Sequence, residues 1–166
     1  MKKQILLSLL IAVIIFGCNS GSKYSEEAVN AIKNATDLKV EKVELPCSTV
    51  EYKLDGDDIK MINAYVQTGN GSDKVFEFYY SDSKLIFSKL VDNWYAMSEE
   101  ETQGSIDYNY YFDNETMTKC ISENKEIKLS DVEYSTKPEE ILTLSNQLIK
   151  SYTTKDTTIL CNEVYQ

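Results

Sequence analysis

The sequence predicts an α+β fold: an N-terminal helix, an antiparallel β-meander of six or seven strands, and a C-terminal helix packed on the sheet. Three observations carry that expectation. The middle of the chain alternates apolar and polar residues with period two, the signature of half-buried strands. Short Asx- and Gly-rich stretches separate these runs, and such residues close tight turns. A segment on either side of this region repeats its apolar residues at helical spacing instead.

The first helix is expected over Tyr24 to Asp37, with Ser22 as N-cap and Glu26 and Glu27 in the first turn. Its stripe, Tyr24, Ala28, Ala31, Ile32 and Ala35, is thin, so it should pack closely but bury little. From Val40 the period changes to two. Val50, Tyr52 and Leu54 alternate with Glu51 and Lys53 as one strand, and Asp55-Gly56-Asp57-Asp58 turns the chain. Ile59 to Gln67 is the next strand, and its apolar set switches faces near Met61-Ile62, which marks a bulge. A loop containing Asn70-Gly71 leads into Val75 to Tyr80, and Leu85 to Leu90 follows around Ser81-Asp82-Ser83-Lys84.

Val91 to Ser105 reads as less regular; it holds the single tryptophan, Trp94, and the run Glu99-Glu100-Glu101. Ile106 to Phe112 and Met117 to Ser122 form another hairpin around Asp113-Asn114-Glu115-Thr116, and Glu126 to Glu133 adds a last strand. Sequential strands usually pair, hence a meander. In the second helix Thr136 and Glu139 fit a capping box around Pro138, and Ile141, Leu144, Leu148 and Tyr152 form the stripe, widened by Leu142 and Ile149. Thr158 to Cys161 reads as an edge strand.

The extreme N-terminus has a different logic. Lys2 and Lys3 precede an apolar run, Ile5 to Phe16, broken by Ser8 and ending in Ile15-Phe16-Gly17-Cys18. That run is too short to span the ~30 Å of bilayer hydrocarbon, which needs ~20 helical residues. A basic start, a short apolar stretch and a small residue before the cut describe an export signal. The segment resembles the bacterial lipoprotein signal, whose cysteine becomes the acylated N-terminus. The resemblance implies lipidation of Cys18, removal of residues 1–17, and a membrane partner held through palmitate-like acyl chains. Each buried CH₂ of such chains is worth ~0.8 kcal/mol. Residues 18–23 then read as a flexible tether and 24–166 as a single α+β domain. Asn19 follows the cysteine where the inner-membrane retention cue would place Asp, so the expected location is the cell envelope, on the outer membrane facing the periplasm.

Composition narrows the function. The chain carries 17 basic residues, all lysine, against 27 acidic ones, for a net charge of −10. An acidic chain without arginine is a poor binder of nucleic acid. It has no histidine, which removes Ser-His-Asp and Cys-His catalysis and histidine-based zinc sites. The expectation is a protein that is not an enzyme, with no cofactor and no metal. The aspartates at 55, 57 and 58 lack the spacing of a calcium loop and read as a solvated turn. With Cys18 set aside, Cys47, Cys120 and Cys161 can form one bridge; Cys120–Cys161 is the favoured pair, beside the alternative of three unpaired thiols.

Tyrosine is the enriched residue, 12 in all, and several cluster in the central strands. Where both faces of a strand carry tyrosine, one face lies outside the core or under a helix. An exposed tyrosine face is adhesive, and Tyr80, Trp94 and Tyr111 are the first candidates for a binding surface. Tyrosine's high strand propensity offers the plainer account. Tyr79-Tyr80-Ser81-Asp82-Ser83 also echoes Tyr110-Tyr111-Phe112-Asp113-Asn114. Such hairpins are similar to those of Gram-negative envelope lipoproteins, a resemblance that carries no activity with it.

The leading expectation is a lipid-anchored, non-enzymatic envelope protein that binds a protein partner through the tyrosine-rich sheet. Its sharpest form is an acidic inhibitor of a basic, envelope-attacking enzyme. A periplasmic small-ligand carrier with a pocket under the last helix is the alternative, and a carboxylate-based hydrolase stands behind it.

Overall fold

The computed structural model describes residues 21–45, 48–68, 72–95, 102–128 and 137–158. Helix α1 (Gly21–Asn34) leads into β1 (Lys39–Leu45), β2 (Ser48–Asp55), β3 (Asp58–Thr68) and β4 (Ser72–Ser81). There follow β5 (Lys84–Tyr95), β6 (Thr102–Asp113), β7 (Thr116–Ser122), β8 (Lys125–Ile127) and helix α2 (Pro138–Thr154). The strands form one sheet in chain order, β1 to β8, with every neighbouring pair antiparallel.

The expected meander is present, but with eight strands among the described residues, not six or seven. The added strand is β1, where Val40 and Val43 are three apart among Lys39, Glu41, Lys42 and Glu44, so no period of two shows; it is an edge, paired on one side only. The stretch read as irregular is mostly strand: β5 continues to Tyr95 and β6 begins at Thr102. Its polar residues pair across the ladder, Asn93 with Ser105 and Trp94 with Gly104, so the backbone is regular where the pattern is not. The last strand is only Lys125–Ile127; most of the span expected for it, and most of the Thr158 to Cys161 edge, lies outside the described residues.

Three hairpins share one construction. The tight turns of β4–β5, β6–β7 and β7–β8 each place two residues at positive φ: Asp82 and Ser83, Asn114 and Glu115, Glu123 and Asn124. Positive φ at both central positions matches the right-handed twist of the flanking strands. The β2–β3 turn does it with Gly56 alone at φ 61. Just beyond the turn the register slips by one: Lys60, Ile86 and Thr118 are each an extra residue on the returning strand. The first slip is the bulge expected near Met61-Ile62. The shared construction aligns Asp82 with Asn114 and so Tyr79 with Tyr111, one residue away from the echo read in the sequence.

Both faces of the sheet are covered, by different helices. On one face Tyr52, Ile62, Phe78, Ser88, Tyr110 and Cys120 stand in a continuous cross-strand row. This face packs against Ile141 and Leu148 of α2, which are 0 % and 1 % exposed. On the other face the row Met61, Tyr79, Phe87, Tyr111 packs against Val29 and, more loosely, Ile32 of α1. Tyr79, Phe87 and Tyr111 meet ring to ring, with centroids 5.6 and 5.1 Å apart, in the tilted and edge-on geometries aromatic quadrupoles favour.

The helix ends differ from the expected caps. α1 starts at Gly21, so Ser22 lies inside it and the segment read as tether is helical from Gly21 onward. Its buried residue is Val29, left off the expected stripe, whereas Ala31 is exposed. α2 has Lys137 as N-cap without a side-chain cap bond and Pro138 in its first turn; Thr136, the expected cap, lies outside the described residues. Proline has no N–H at that position, so one fewer donor there needs a cap. The expected α2 stripe does face the core, with Ser145 and Ser151 buried among it.

Candidate functional site

The tyrosines do not form an exposed platform. Tyr80 is 2 % exposed, and its hydroxyl meets Ser145 Oγ of α2 at 2.8 Å. Tyr111 is 7 % exposed beneath α1, where its hydroxyl donates to Glu26 Oε1 at 3.5 Å. The two lie on opposite faces, so the surface expected from Tyr80, Trp94 and Tyr111 together does not exist; only Trp94, 43 % exposed, is on the outside. The physical reason is the second helix. With a helix on each face, the sheet buries tyrosines pointing either way, and their hydroxyls are satisfied at the rim of each core. Tyr52 donates to the Leu148 carbonyl at 3.1 Å, Tyr79 to Glu77 at 2.6 Å and Tyr152 to Glu41 at 2.9 Å.

Among the described residues, two open places stand out. The first is a shallow cleft of about 210 Å³ between α1 and the sheet, lined by Glu26, Val29, Asn30, Lys33, Phe87 and Tyr111. Two lysines stand near it: Lys33 Nζ sits 3.9 Å from Glu77 and 5.3 Å from the Tyr79 ring centre, and Lys119 Nζ sits 5.2 Å from that of Tyr111. Burial pushes the Tyr111 phenol up, and the nearby Glu26 carboxylate adds to that, so it is a hydrogen-bond donor and not a base.

The second is the end of the sheet opposite the β2–β3, β4–β5 and β6–β7 turns. There Tyr65 and Tyr95, from β3 and β5, both donate to Asp73 Oδ2 in β4, at 2.5 and 2.6 Å. The bond to Asp73 is the leading cause that raises the Tyr65 phenol, which stays protonated and donating. By strand alternation these three share the α1 face, beyond the helix. Trp94 belongs to the other face of the same end. It lies over its cross-strand partner Gly104, where a Cβ would collide with the indole. A glycine opposite a tryptophan lets the ring lie down on the backbone, leaving its outer side to water. Beside it Lys74 and Asp92 pair at 3.5 Å. Sequence reasoning found Trp94 because it is unique; Tyr95 counted only as one of the clustered tyrosines and Tyr65 not at all, because nothing in their local pattern distinguishes an uncovered strand end from a covered one.

The remaining sequence-based candidates are placed as follows. Cys120 is fully buried on the α2 face as a free thiol, and burial pushes its pKa up to about 11. Cys18, Cys47 and Cys161 lie outside the described residues, and with them the lipidation site and the partner of the favoured bridge. Asp55, Asp57 and Asp58 are exposed in the β2–β3 turn, and no group of three metal-ligating side chains forms among the described residues. Glu41 is held below the usual carboxylate range, chiefly by its bond from Lys39 and next by that from Tyr152, the direction opposite to what a general acid requires. No described helix is long and apolar enough to cross a membrane.

No protein-family model, curated protein or solved structure matches this chain.

Proposed function

We propose that this protein is a lipid-anchored envelope protein that performs no catalysis and binds a protein partner through the uncovered end of its sheet. The observation that carries the reading is the pairing of Tyr65 and Tyr95 on Asp73, with Trp94 exposed at the same end. Most of the other described aromatic residues pack into the two cores. Here aromatic residues stand outside, and hydrogen bonds hold two of them in fixed positions before any partner arrives. Preordered aromatic side chains lose little entropy on binding and supply large contact area, which is why interfaces favour them. The net charge of −10 favours a basic partner by steering its approach. The anchor is Cys18, on the outer membrane facing the periplasm, as the signal sequence suggests.

A small-ligand carrier is the second reading. The cleft under α1, about 210 Å³, is smaller than the roughly 300–1,000 Å³ of ordinary ligand sites. The α2 side, where the pocket was expected, is occupied by Tyr52, Phe78, Tyr80, Tyr110 and Leu148. Both points favour the partner reading.

The test is co-purification from detergent-solubilised envelopes, comparing the native lipoprotein with a Tyr65→Ala/Trp94→Ala variant of unchanged far-ultraviolet circular dichroism. The expected result is a stoichiometric protein that is retained by the native chain and lost by the variant. Equal retention by both, or no retained protein, would overturn the proposal.

A further inference from the structure

One long edge of the sheet is unpaired among the described residues. All seven residues of β1 pair with β2, without a register shift, and β1 has no described neighbour on its other side. Every second residue of such an edge turns its backbone N–H and C=O outward, a template for another strand. The opposite edge, β8, is only three residues long. β1 carries no proline, glycine or bulge, the devices that commonly spoil an edge. One of its two valines, Val40, is 52 % exposed.

Charge also deters edge pairing, and here its spacing selects a partner. The charged residues run Lys39, Glu41, Lys42, Glu44, with Val40 and Val43 among them. Two copies of one strand pair antiparallel about a two-fold axis normal to the sheet, so the residue at the axis faces its own copy. An axis at Lys39, Glu41, Lys42 or Glu44 sets like charges face to face, which is destabilising. An axis at Leu45 leaves almost no overlap, because β1 ends there. An axis at either valine places valine against valine, with lysine across from glutamate on both sides. The Val40 register overlaps only Lys39 to Glu41, whose charged side chains are already joined at 2.6 Å. The Val43 register overlaps Glu41 to Leu45 and sets Lys42 of each copy against Glu44 of the other. Both side chains are exposed, and Lys42 Nζ is 4.0 Å from Glu51, its neighbour within the chain. Glu41 then stands opposite Leu45, its carboxylate taken up by Lys39 and the Tyr152 hydroxyl.

We propose that β1 is a homodimer interface, in which two copies pair antiparallel with Val43 at the two-fold axis and the sheet continues from one copy into the other. One strand per copy makes a small interface, of the weak and reversible class. The dimer is independent of the envelope partner proposed above and of the anchor.

Sedimentation equilibrium of the full chain, in a density-matched detergent with micelles in excess, is expected to show a monomer–dimer equilibrium across a concentration series. Lys42→Glu sets glutamate against Glu44 at both symmetric positions and is expected to weaken the dimer at least about tenfold, with far-ultraviolet circular dichroism unchanged. Lys42→Glu/Glu44→Lys restores opposite charges across the axis and is expected to recover the native affinity, a rescue that damage within one chain would not give. Val43→Cys brings two thiols together at a Cα separation of roughly 4.5–5.5 Å, within reach of a disulfide. Peptide-resolved mass spectrometry is then expected to find two chains linked through position 43. A monomer at every concentration, a Lys42→Glu dimer as tight as the native one, a charge swap that restores nothing, or no link through position 43 would overturn the proposal.

Discussion

Tyr79 and Tyr80 are adjacent in the chain and belong to different cores. Tyr79 packs with Phe87 and Tyr111 beneath α1; Tyr80 packs with Leu85 and Phe112 beneath α2. Their hydroxyls meet different fates as well. Tyr80 is bonded to the buried Ser145 Oγ, and Tyr79 donates to Glu77, which is part-exposed and already near Lys33. Tyr80→Phe therefore leaves Ser145 without its partner and is expected to cost about 1–2 kcal/mol. Tyr79→Phe leaves a carboxylate that water can reach and is expected to cost less than about 1 kcal/mol. Because the rings face apart, the double variant should equal the sum within about 0.5 kcal/mol, as urea denaturation of the three variants would show.

The hairpin turns hold a stability reserve. Glu115 sits at φ 63, a left-handed conformation that costs a residue with a Cβ about 1–2 kcal/mol. Its side chain is exposed in the turn and nothing in the structure holds it there. Glu115→Gly makes the turn Asn-Gly, the preferred pair at this geometry, and loses part of the gain to backbone entropy. The expected net effect is a stabilisation of about 0.5–1 kcal/mol, read as a higher urea midpoint with an unchanged slope. A lower midpoint would mean that the turn is not the one described.

Alkaline pH should unfold the protein cooperatively. Burial raises the phenols of Tyr52, Tyr79 and Tyr80 well above the ordinary tyrosine value of about 10. A group whose folded pKa is raised contributes stability that is fully present below its unfolded pKa and is lost as pH rises towards the folded one. Stability should thus be flat up to about pH 9 and fall above about pH 10, as the unfolded chain releases protons that the folded chain keeps. In a pH titration, phenolate absorbance from the buried tyrosines should rise together with loss of circular dichroism. A phenolate rise for all 12 tyrosines near pH 10 in a still-folded protein would refute the burial assigned to them.

Cys120 should resist alkylation until the fold opens. It is fully buried and its thiol is raised to about 11, so little thiolate forms and no reagent reaches it. Peptide-resolved mass spectrometry after maleimide treatment at pH 7.5 is expected to find Cys120 unmodified in native protein and modified in urea. Modification in urea only after a reductant is added would instead place Cys120 in a disulfide, with Cys47 or Cys161 as its partner.

Much of the sheet was legible in the chain. Tyr-rich alternation and Asx turns identify β2 to β7 because strand burial has period two and tight hairpins demand residues that tolerate positive φ. Even the bulge near Met61 shows, since one inserted residue exchanges the faces of everything after it. The edge strand β1 and the continuation of β5 to Tyr95 did not show, because pairing through backbone groups leaves no apolar mark when a side chain faces water.

The candidate site was legible only in part. Trp94 announces itself by being unique, but whether Tyr80, Tyr111, Tyr65 or Tyr95 is exposed depends on where two helices lie, and those contacts are long-range: Tyr111 meets Glu26, and Tyr80 meets Ser145. The sequence by itself determined the period, the turns, the charge and the missing histidine, all of which are properties of neighbours along the chain. Only the tertiary structure decided that α1 and α2 cover opposite faces, and hence which aromatic residues are core and which remain outside. Burial is a property of what packs above a residue, and the covering element here comes from the far end of the chain.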